Sequence, residues 1–186
     1  MRSRTGSGVY VRDQASLPAP SHENQPLAGI ESFLFEMGHL KHVTRAGWLL
    51  LGIPQPETVA EHSSRVGVVG LALAPLEGAD VGRTAALCLL HDAHETRIGD
   101  VPSVGRAYVT TAVPEAVSAH QTSAMPDAAA VVFQDLVAEY EAGESLESRL
   151  AHDADKIETL LQAAEYGGPG VRHRCLARDL GRRAPD

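Results

Sequence analysis

Apolar residues recur along most of the chain at the three- and four-residue steps that place side chains on one face of a helix. The first such run predicts a helix over about residues 27–43. The stretch 44–57, interrupted by Gly52, Pro54 and Pro56, is predicted to be a loop. No segment predicts a strand, so the expected fold class is an all-α bundle. The further predicted helices cover about 58–74, 81–97, 114–125, 127–142 and 145–166.

Helix-terminal residues support these bounds. Thr58, with Glu61 three positions later, has the spacing of a capping box. Asp80 is placed to cap the next helix through its side-chain oxygen. Pro75 is expected to end the helix that Thr58 begins, and Gly143 to end the fifth of the six helices.

The last predicted helix has an apolar stripe that follows the i, i+4, i+7, i+11, i+14 spacing of one helix face. Gly167 supplies its stop signal. The stripe consists of Leu150, Ala154, Ile157, Leu161 and Ala164.

The chain length of 186 residues suits one domain with a substantial core. Residues 1–25 mix Gly, Ser, Pro and charges without periodicity, and they predict a flexible N-terminal tail. The single domain is therefore expected over residues 26–186, with an end that frays after about residue 170.

Charge and cysteine content narrow the functional classes. The formal net charge is −8, which argues against a general affinity for nucleic acid polymers or anionic membranes but not against a small phosphorylated ligand. No apolar run reaches the roughly 18 residues of a membrane span. Cys88 and Cys175 make a poor disulfide framework. We therefore expect a cytoplasmic protein.

Ionisable residues interrupt or flank three of the apolar patterns. His91 and Asp92 directly follow the apolar run of "AALCLL", His62 lies in the second helix, and Asp153 and Asp155 lie in the last. Burying such groups costs several kcal/mol unless they are paired. Two imidazoles and two carboxylates suit one divalent transition ion, such as Co, Mn, Fe, Ni or Zn, better than calcium. Four such ligands would leave coordination positions for water and substrate.

The order His, His-Asp, Asp resembles the HD-domain superfamily of metal-dependent phosphohydrolases. The segments "HLKHVTRAGWLLLGIPQPETVAEHSSRV", "LLHDAHETRIGDVP" and "DADKIETLLQAAEY" are similar to the 5′-deoxynucleotidases of that superfamily. This resemblance covers roughly residues 30–166. It implies an HD-domain helical bundle that hydrolyses deoxynucleoside 5′-monophosphates to nucleoside and phosphate, and it implies a homodimer.

The resemblance also assigns the metal site. Asp155, which directly precedes Lys156, fits the family's A-D-K position better than Asp153 does. The implied metal ligands are His62, His91, Asp92 and Asp155.

Two acidic residues are implied at the reaction centre. Glu95 matches the catalytic acid/base at the end of H-D-x-x-E, and Asp100 matches a second acidic residue in the G-D pair. Glu95 follows His91 by four residues, so the pattern predicts that both share one helix face. From there Glu95 could orient an attacking water or protonate the leaving sugar oxygen.

Four further residues are implied at the substrate. Arg45 and Trp48 match the R-x-x-W stretch that the family uses for the phosphate and for a sugar without a 2′-hydroxyl. Arg106 stands where the family often has a phosphate-contacting lysine. His94 replaces the small residue usual at its position, and it would either add a donor to the phosphate pocket or crowd that pocket.

Two other functions stay open at this point. An HD-type di-iron oxygenase needs two further histidines; His120 and His152 are present, although His152 precedes Asp155 by three residues. A degenerate HD module would bind a nucleotide or a partner without chemistry. The intact ligand set together with Glu95 argues against that second alternative.

Overall fold

The computed structural model describes residues 26–167, in which regular structure consists of eight α-helices and one short 3₁₀ helix. Within this range the β-type pairing is an isolated bridge between Thr44 and Thr58. The predicted all-α class is confirmed. The helices are α1 (Pro26–Gly38), the 3₁₀ helix (His39–Lys41), α2 (Ala46–Leu50), α3 (Val59–Glu77), α4 (Val81–Leu90), α5 (Glu95–Ile98), α6 (Pro114–Gln121), α7 (Asp127–Ala142) and α8 (Leu146–Tyr166).

Three predictions concern residues outside the described range. These are the flexible tail over residues 1–25, the fraying after residue 170, and the part of the disulfide prediction that concerns Cys175. None of the helices within residues 26–167 combines the length and the apolar character needed to cross a membrane.

Side-chain caps fix the starts of α3 and α4, and a glycine ends α7. Thr58 accepts a hydrogen bond from the Glu61 backbone N–H, and the Glu61 carboxylate accepts one from the Thr58 backbone N–H, which completes the predicted capping box of α3. Asp80 caps α4 by accepting from the Arg83 N–H at 2.6 Å. Gly143 ends α7 in the left-handed conformation, with φ of 64°.

The predicted helix end at Pro75 and the predicted loop over 44–57 are both wrong. Pro75 lies within the last turn of α3, which continues to Glu77 and ends at Gly78 with φ of 75°. Pro75 is exposed, so the carbonyl that loses its N–H partner to the proline lies on the solvent side of the helix. The predicted 44–57 loop also contains the short helix α2.

The predicted 81–97 helix is broken in the middle. α4 ends at Leu90, residues 91–94 form tight turns, and α5 begins at Glu95. The break follows from backbone hydrogen bonds that span three residues instead of four, such as that from the Ala93 N–H to the Leu90 carbonyl. The His-Asp pair therefore lies on a tight turn and not inside a helix.

The main core lies between α3, α4, α7 and α8. Glycines allow the close approach of α3 and α4: a Cβ on Gly70 would lie 2.6 Å from the Cys88 Sγ, and one on Gly67 would lie 3.1 Å from Leu89 Cδ2. This approach brings the functional residues of the two helices together. The core cluster consists of Val66, Leu87, Cys88, Leu136, Tyr140, Ala151 and Ala154.

The α8 stripe is apolar in its first half only. Leu150 and Ala154 are buried as predicted, but Leu161 is 47% exposed. The buried positions of the second half are polar, namely Glu158 and Gln162. Both bind side chains of α3, so polar pairing replaces apolar packing in this half of the helix interface.

Candidate metal centre and active site

Two buried imidazoles face each other at the centre of the bundle. His62 lies on α3 and His91 directly follows α4, with exposed fractions of 0% and 4% and ring centroids 5.3 Å apart. The Nδ1 atom of His62 lies 2.5 Å from Glu158 Oε2, and that of His91 lies 2.7 Å from the Cys88 carbonyl oxygen. Because both acceptors bind an Nδ1 proton, Nε2 is the nitrogen that has the lone pair when either imidazole is neutral.

Neither Nε2 atom finds a hydrogen-bond partner among residues 26–167. Unpaired buried polar atoms are costly, so this geometry favours an additional partner between the two rings. Two carboxylates converge on the same point. Asp92 Oδ2 lies 3.1 Å from His91 Nε2 and 3.8 Å from His62 Nε2, while Asp155 Oδ1 lies 3.1 Å from His62 Nε2 and 3.9 Å from His91 Nε2.

This mixed nitrogen and oxygen donor set fits a divalent transition metal. Donor atoms of His62, His91 and Asp92 all lie within 4.8 Å of one another. Asp155 faces the same centre, whereas the side chain of Asp153 is exposed and pairs with Lys156 at 3.6 Å.

When no metal is bound, the nearby carboxylates favour the protonated, positively charged imidazoles. Burial disfavours the charged form of His91, but the carboxylates of Asp92 and Asp155 outweigh that effect and raise its pKa to about 9. The pKa of His62 is also raised, against burial, by the nearby carboxylates of Asp155 and Glu158. Burial disfavours the ionised form of Asp92, yet His91 and Arg45 hold its pKa well below the usual range. Metal binding to neutral imidazoles therefore releases protons.

Arg45 lies beside this centre at the N-terminus of α2. Its Nη1 atom lies 3.3 Å from Asp92 Oδ2 and 3.7 Å from Asp100 Oδ1. Asp100 also accepts a hydrogen bond from the Ala46 backbone N–H at 2.5 Å. The Asp100 carboxylate thus holds both the first residue of α2 and the guanidinium of Arg45, the residue before it.

Glu95 is a buried acid close to the same groups. It is the first residue of α5 and is 5% exposed, and its Oε2 has no hydrogen-bond partner in the described part of the chain. Burial raises its pKa to about 9, with further contributions from the carboxylates of Asp92 and Asp100. A tight turn separates it from α4, so the predicted common helix face with His91 is wrong. Glu95 instead reaches the centre from its own short helix.

A cavity of about 380 Å³ adjoins the centre through Arg45 and Asp100. Arg106 and Trp48 also line it, and Thr159 lies on α8 one turn beyond Asp155. A cavity of this size is typical of small-molecule sites. The rest of its wall is largely apolar and consists of Gly47, Leu50, Leu51, Val101, Pro102, Ser103 and Val104.

Trp48 is held rigidly in that wall. Its indole N–H donates to Glu57 Oε1 at 2.9 Å, and its ring meets the edge of Tyr166 with centroids 5.2 Å apart. Arg106 is exposed and donates to the Val101 carbonyl at 3.4 Å. His94 is half-buried at the start of α5 and is not part of the lining of this cavity.

The two histidines needed for a second iron lie elsewhere. His120 Nδ1 lies 2.5 Å from the Arg97 guanidinium, and His152 Nε2 lies 2.9 Å from the Tyr140 carbonyl. Neither joins a metal-ligand cluster within residues 26–167. The geometry therefore does not favour the di-iron oxygenase.

Comparison with known proteins places the chain in a family. Residues 37–179 match the HD domain. The chain belongs to the HD-domain family. The zebrafish 5′-deoxynucleotidase HDDC2 is 32% identical over 74% of this chain and 72% of the relative. The fission yeast 5′-deoxynucleotidase hdd1 is 29% identical over 74% of this chain and 72% of its own length.

Solved structures of similar chains agree with the fold. A "predicted metal-dependent phosphohydrolase" of Magnetospirillum magnetotacticum is 29% identical, with a TM-score of 0.61 and coverage of 74% of this chain and 71% of that one. A conserved hypothetical protein of Pyrococcus furiosus is 31% identical, with a TM-score of 0.62 and coverage of 76% and 81%. The HD-domain chain described here is accordingly a hydrolase of this phosphohydrolase family.

Sequence reasoning missed two acidic residues of this HD domain. Glu57 accepts from the Arg45 backbone N–H at 3.1 Å through its carbonyl and from the Trp48 indole through its carboxylate. Glu158 binds His62, as described above. The spacing of Asp155 and Glu158, three residues apart on one helix, was the available signal for the second residue.

Glu57, His62 and Glu158 form a second group of possible metal donors. In this group, however, His62 Nδ1 and Glu158 Oε2 are already bound to each other, and Glu158 Oε1 accepts from Arg65. The first cluster, with its unpaired Nε2 atoms, is the better candidate for a cation.

The pKa shifts predict that metal binding stabilises the protein more as the pH rises. In the metal-free protein, the raised pKa of His91 stabilises the fold below about pH 6.5, and this contribution is lost as the pH rises through about 9. Binding of Co²⁺ requires the proton to leave, so its affinity rises by up to about tenfold per pH unit for each proton released. We expect the Co²⁺-induced increase in Tm to be larger at pH 8.5 than at pH 6.5.

The matched controls are two histidine variants. His91→Ala should abolish the Co²⁺-induced increase, and His39→Gln, at an exposed position, should behave like the wild type. A cobalt-induced increase that is independent of pH, or one that persists in His91→Ala, would contradict the assignment.

Proposed function

We propose that this HD-domain hydrolase is a metal-dependent phosphomonoesterase that converts deoxynucleoside 5′-monophosphates to nucleoside and phosphate. The observation that carries the proposal is the pair of unpaired, buried Nε2 atoms that meet two carboxylates beside Arg45 and an open cavity. The names of the curated relatives support the substrate class, because 5′-deoxynucleotidases from fish, cattle and yeast are among them.

His62, His91, Asp92 and Asp155 are the proposed ligands of one divalent transition ion of the group Co, Mn, Fe, Ni and Zn. Bound there, such an ion supplies Lewis-acid chemistry for a phosphate ester. Arg45 is proposed to bind phosphate oxygens through its guanidinium fork. Its contact with Asp100 holds that fork at the mouth of the cavity.

Glu95 is proposed as the general acid. Burial and the neighbouring carboxylates of Asp92 and Asp100 raise its pKa to about 9, which favours the protonated carboxyl that a general acid needs. As the water oxygen bonds to phosphorus and the bond between phosphorus and O5′ breaks, the Glu95 proton passes to O5′ and the nucleoside leaves as a neutral alcohol. Both protons of the water stay on the phosphate, which then returns one of them to the Glu95 carboxylate. Asp100 is proposed as the second acidic residue, which orients Arg45 and the first turn of α2.

The cavity wall is proposed to receive the nucleoside. Trp48 would pack against the sugar where a 2′-hydroxyl would otherwise sit, and Arg106 would contact the phosphate from the rim. His94 lies outside the cavity lining, so a substrate contact of that side chain remains a prediction from the resemblance. A homodimer and a cytoplasmic location likewise stay predictions.

The general-acid role predicts a selective loss of turnover in Glu95→Gln. Glutamine has the shape of the protonated carboxyl but cannot release a proton, so kcat should fall by about 10²-fold or more. Metal content and Tm should stay close to those of the wild type, because Glu95 is not a proposed ligand. The control is Glu115→Gln on α6, which removes an exposed acidic group.

Near-normal kcat in a Glu95→Gln enzyme that retains its metal would reject the general-acid role. Loss of the metal in that variant would reject it as well, since Glu95 would then support the ligands instead of the chemistry.

The substrate class is tested by measuring phosphate release from a panel of nucleotides with Co²⁺, Mn²⁺ and Zn²⁺. Deoxynucleoside 5′-monophosphates should be hydrolysed faster than ribonucleoside 5′-monophosphates and 3′-monophosphates. Trp48→Ala should reduce the ratio of the dAMP rate to the AMP rate, because the wall beside the sugar is removed. Equal rates on dAMP and AMP in the wild type would contradict sugar recognition, and the absence of hydrolysis with any metal would instead support a degenerate nucleotide-binding module.

A further inference from the structure

Glu158 is a fully buried carboxylate with no part in the proposed reaction. It lies on α8 with an exposed fraction of 0%, and it is not part of the lining of the cavity. Burial of an unpaired carboxylate costs several kcal/mol, so a buried charge must be held by strong partners.

Both carboxylate oxygens of Glu158 are in use. Oε2 lies 2.5 Å from His62 Nδ1, and Oε1 accepts from the Arg65 guanidinium, with distances of 2.9 Å to Nε and 2.7 Å to Nη2. An ionised carboxylate can only accept, so the proton of this contact belongs to His62 Nδ1. The Nε2 atom is then left as the lone-pair donor toward the metal centre.

The two imidazoles of the centre are oriented by different means. His91 donates to the Cys88 carbonyl, a neutral acceptor three residues earlier in its own helix. His62 instead depends on a charged group that comes from another helix. Asp155 and Glu158 share one face of α8, so this helix supplies a proposed metal ligand together with the group that orients a second one.

Arg65 connects this pair to the surface. It lies one turn after His62 on α3, and its remaining donors bind Glu165 at 2.8 Å and Gln162 at 2.5 Å. Its guanidinium is therefore fixed on three acceptors of α8. The chain of contacts from Arg65 through Glu158 to His62 therefore fixes the packing of α3 against α8 at the metal centre.

We propose that Glu158 is a positioning residue for metal binding: it holds His62 with a protonated Nδ1 and directs Nε2 toward Asp92 and Asp155. This inference rests on the proposed metal-dependent function. A carboxylate acceptor on a metal-bound histidine both orients the ring and strengthens its donor nitrogen, and loss of such a partner typically weakens metal binding by about 10–100-fold.

The test compares Glu158→Gln and Glu158→Met with the control Asp153→Asn. The control removes an acidic group from the same helix at an exposed position that pairs with Lys156. The dissociation constant for Zn²⁺ is measured on metal-stripped protein against a competing chelator, and the Tm of the metal-free protein is measured in parallel.

Glu158→Met should weaken Zn²⁺ binding by about 10–100-fold, because no acceptor remains for the His62 Nδ1 proton. Glu158→Gln should have a smaller effect, since its side-chain carbonyl can still accept that proton. The control should bind Zn²⁺ like the wild type.

Zn²⁺ binding at wild-type strength in both folded variants would overturn the proposal, even if their Tm falls, because a purely structural role lowers Tm without changing the affinity of the folded protein. If Glu158→Met does not fold, the Glu158→Gln affinity decides: a loss relative to the control supports the proposal and an unchanged value overturns it. Nucleotide hydrolysis is scored separately on the wild type, so failure of the proposed function leaves the affinity comparison intact.

Discussion

The Nε2 atoms of His62 and His91 meet inside a helical core without a hydrogen-bond partner in the described range. A protein interior rarely leaves such atoms unpaired. When no metal is bound, nearby carboxylates raise the pKa of both rings: Asp92 and Asp155 raise that of His91, and Asp155 and Glu158 raise that of His62. A divalent cation satisfies the same lone pairs and carboxylates together. The need to place a positive charge at this point explains why α3, α8 and the turn after α4 direct ionisable side chains into one core.

The surrounding fold serves that placement. Because Gly70 has no Cβ, α3 packs closely against Cys88 of α4, and this close packing brings the two imidazoles together. The break after Leu90 turns the chain so that Asp92 faces the centre and Glu95 returns to it from a separate short helix. Glu158 locks the α3–α8 contact through His62. Chemistry and packing are therefore not separable here, because the same contacts that join the helices also orient the proposed ligands.

The helices of the bundle could be predicted from periodicity and caps, since Thr58 and Asp80 cap through local contacts that sequence spacing reveals. The break near Leu90 could not, because an apolar run followed by ionisable residues does not distinguish a continuous helix from a tight turn. The prediction that Leu161 belongs to the buried stripe is wrong for a related reason. Glu158 is buried there instead, because it pairs with Arg65 of α3, and hydrophobic periodicity does not detect buried ion pairs. Long-range partners of this kind appear only when the helices are packed.

The most direct test of the metal centre is a crystal structure of the Co²⁺-loaded protein with anomalous diffraction recorded at the cobalt absorption edge. One anomalous peak per chain should lie within about 2.0–2.3 Å of the Nε2 atoms of His62 and His91 and of carboxylate oxygens of Asp92 and Asp155. Glu158 should remain bound to His62 Nδ1 and outside the coordination shell. A peak between Glu57 and Glu158, or no peak near either imidazole, would contradict the account.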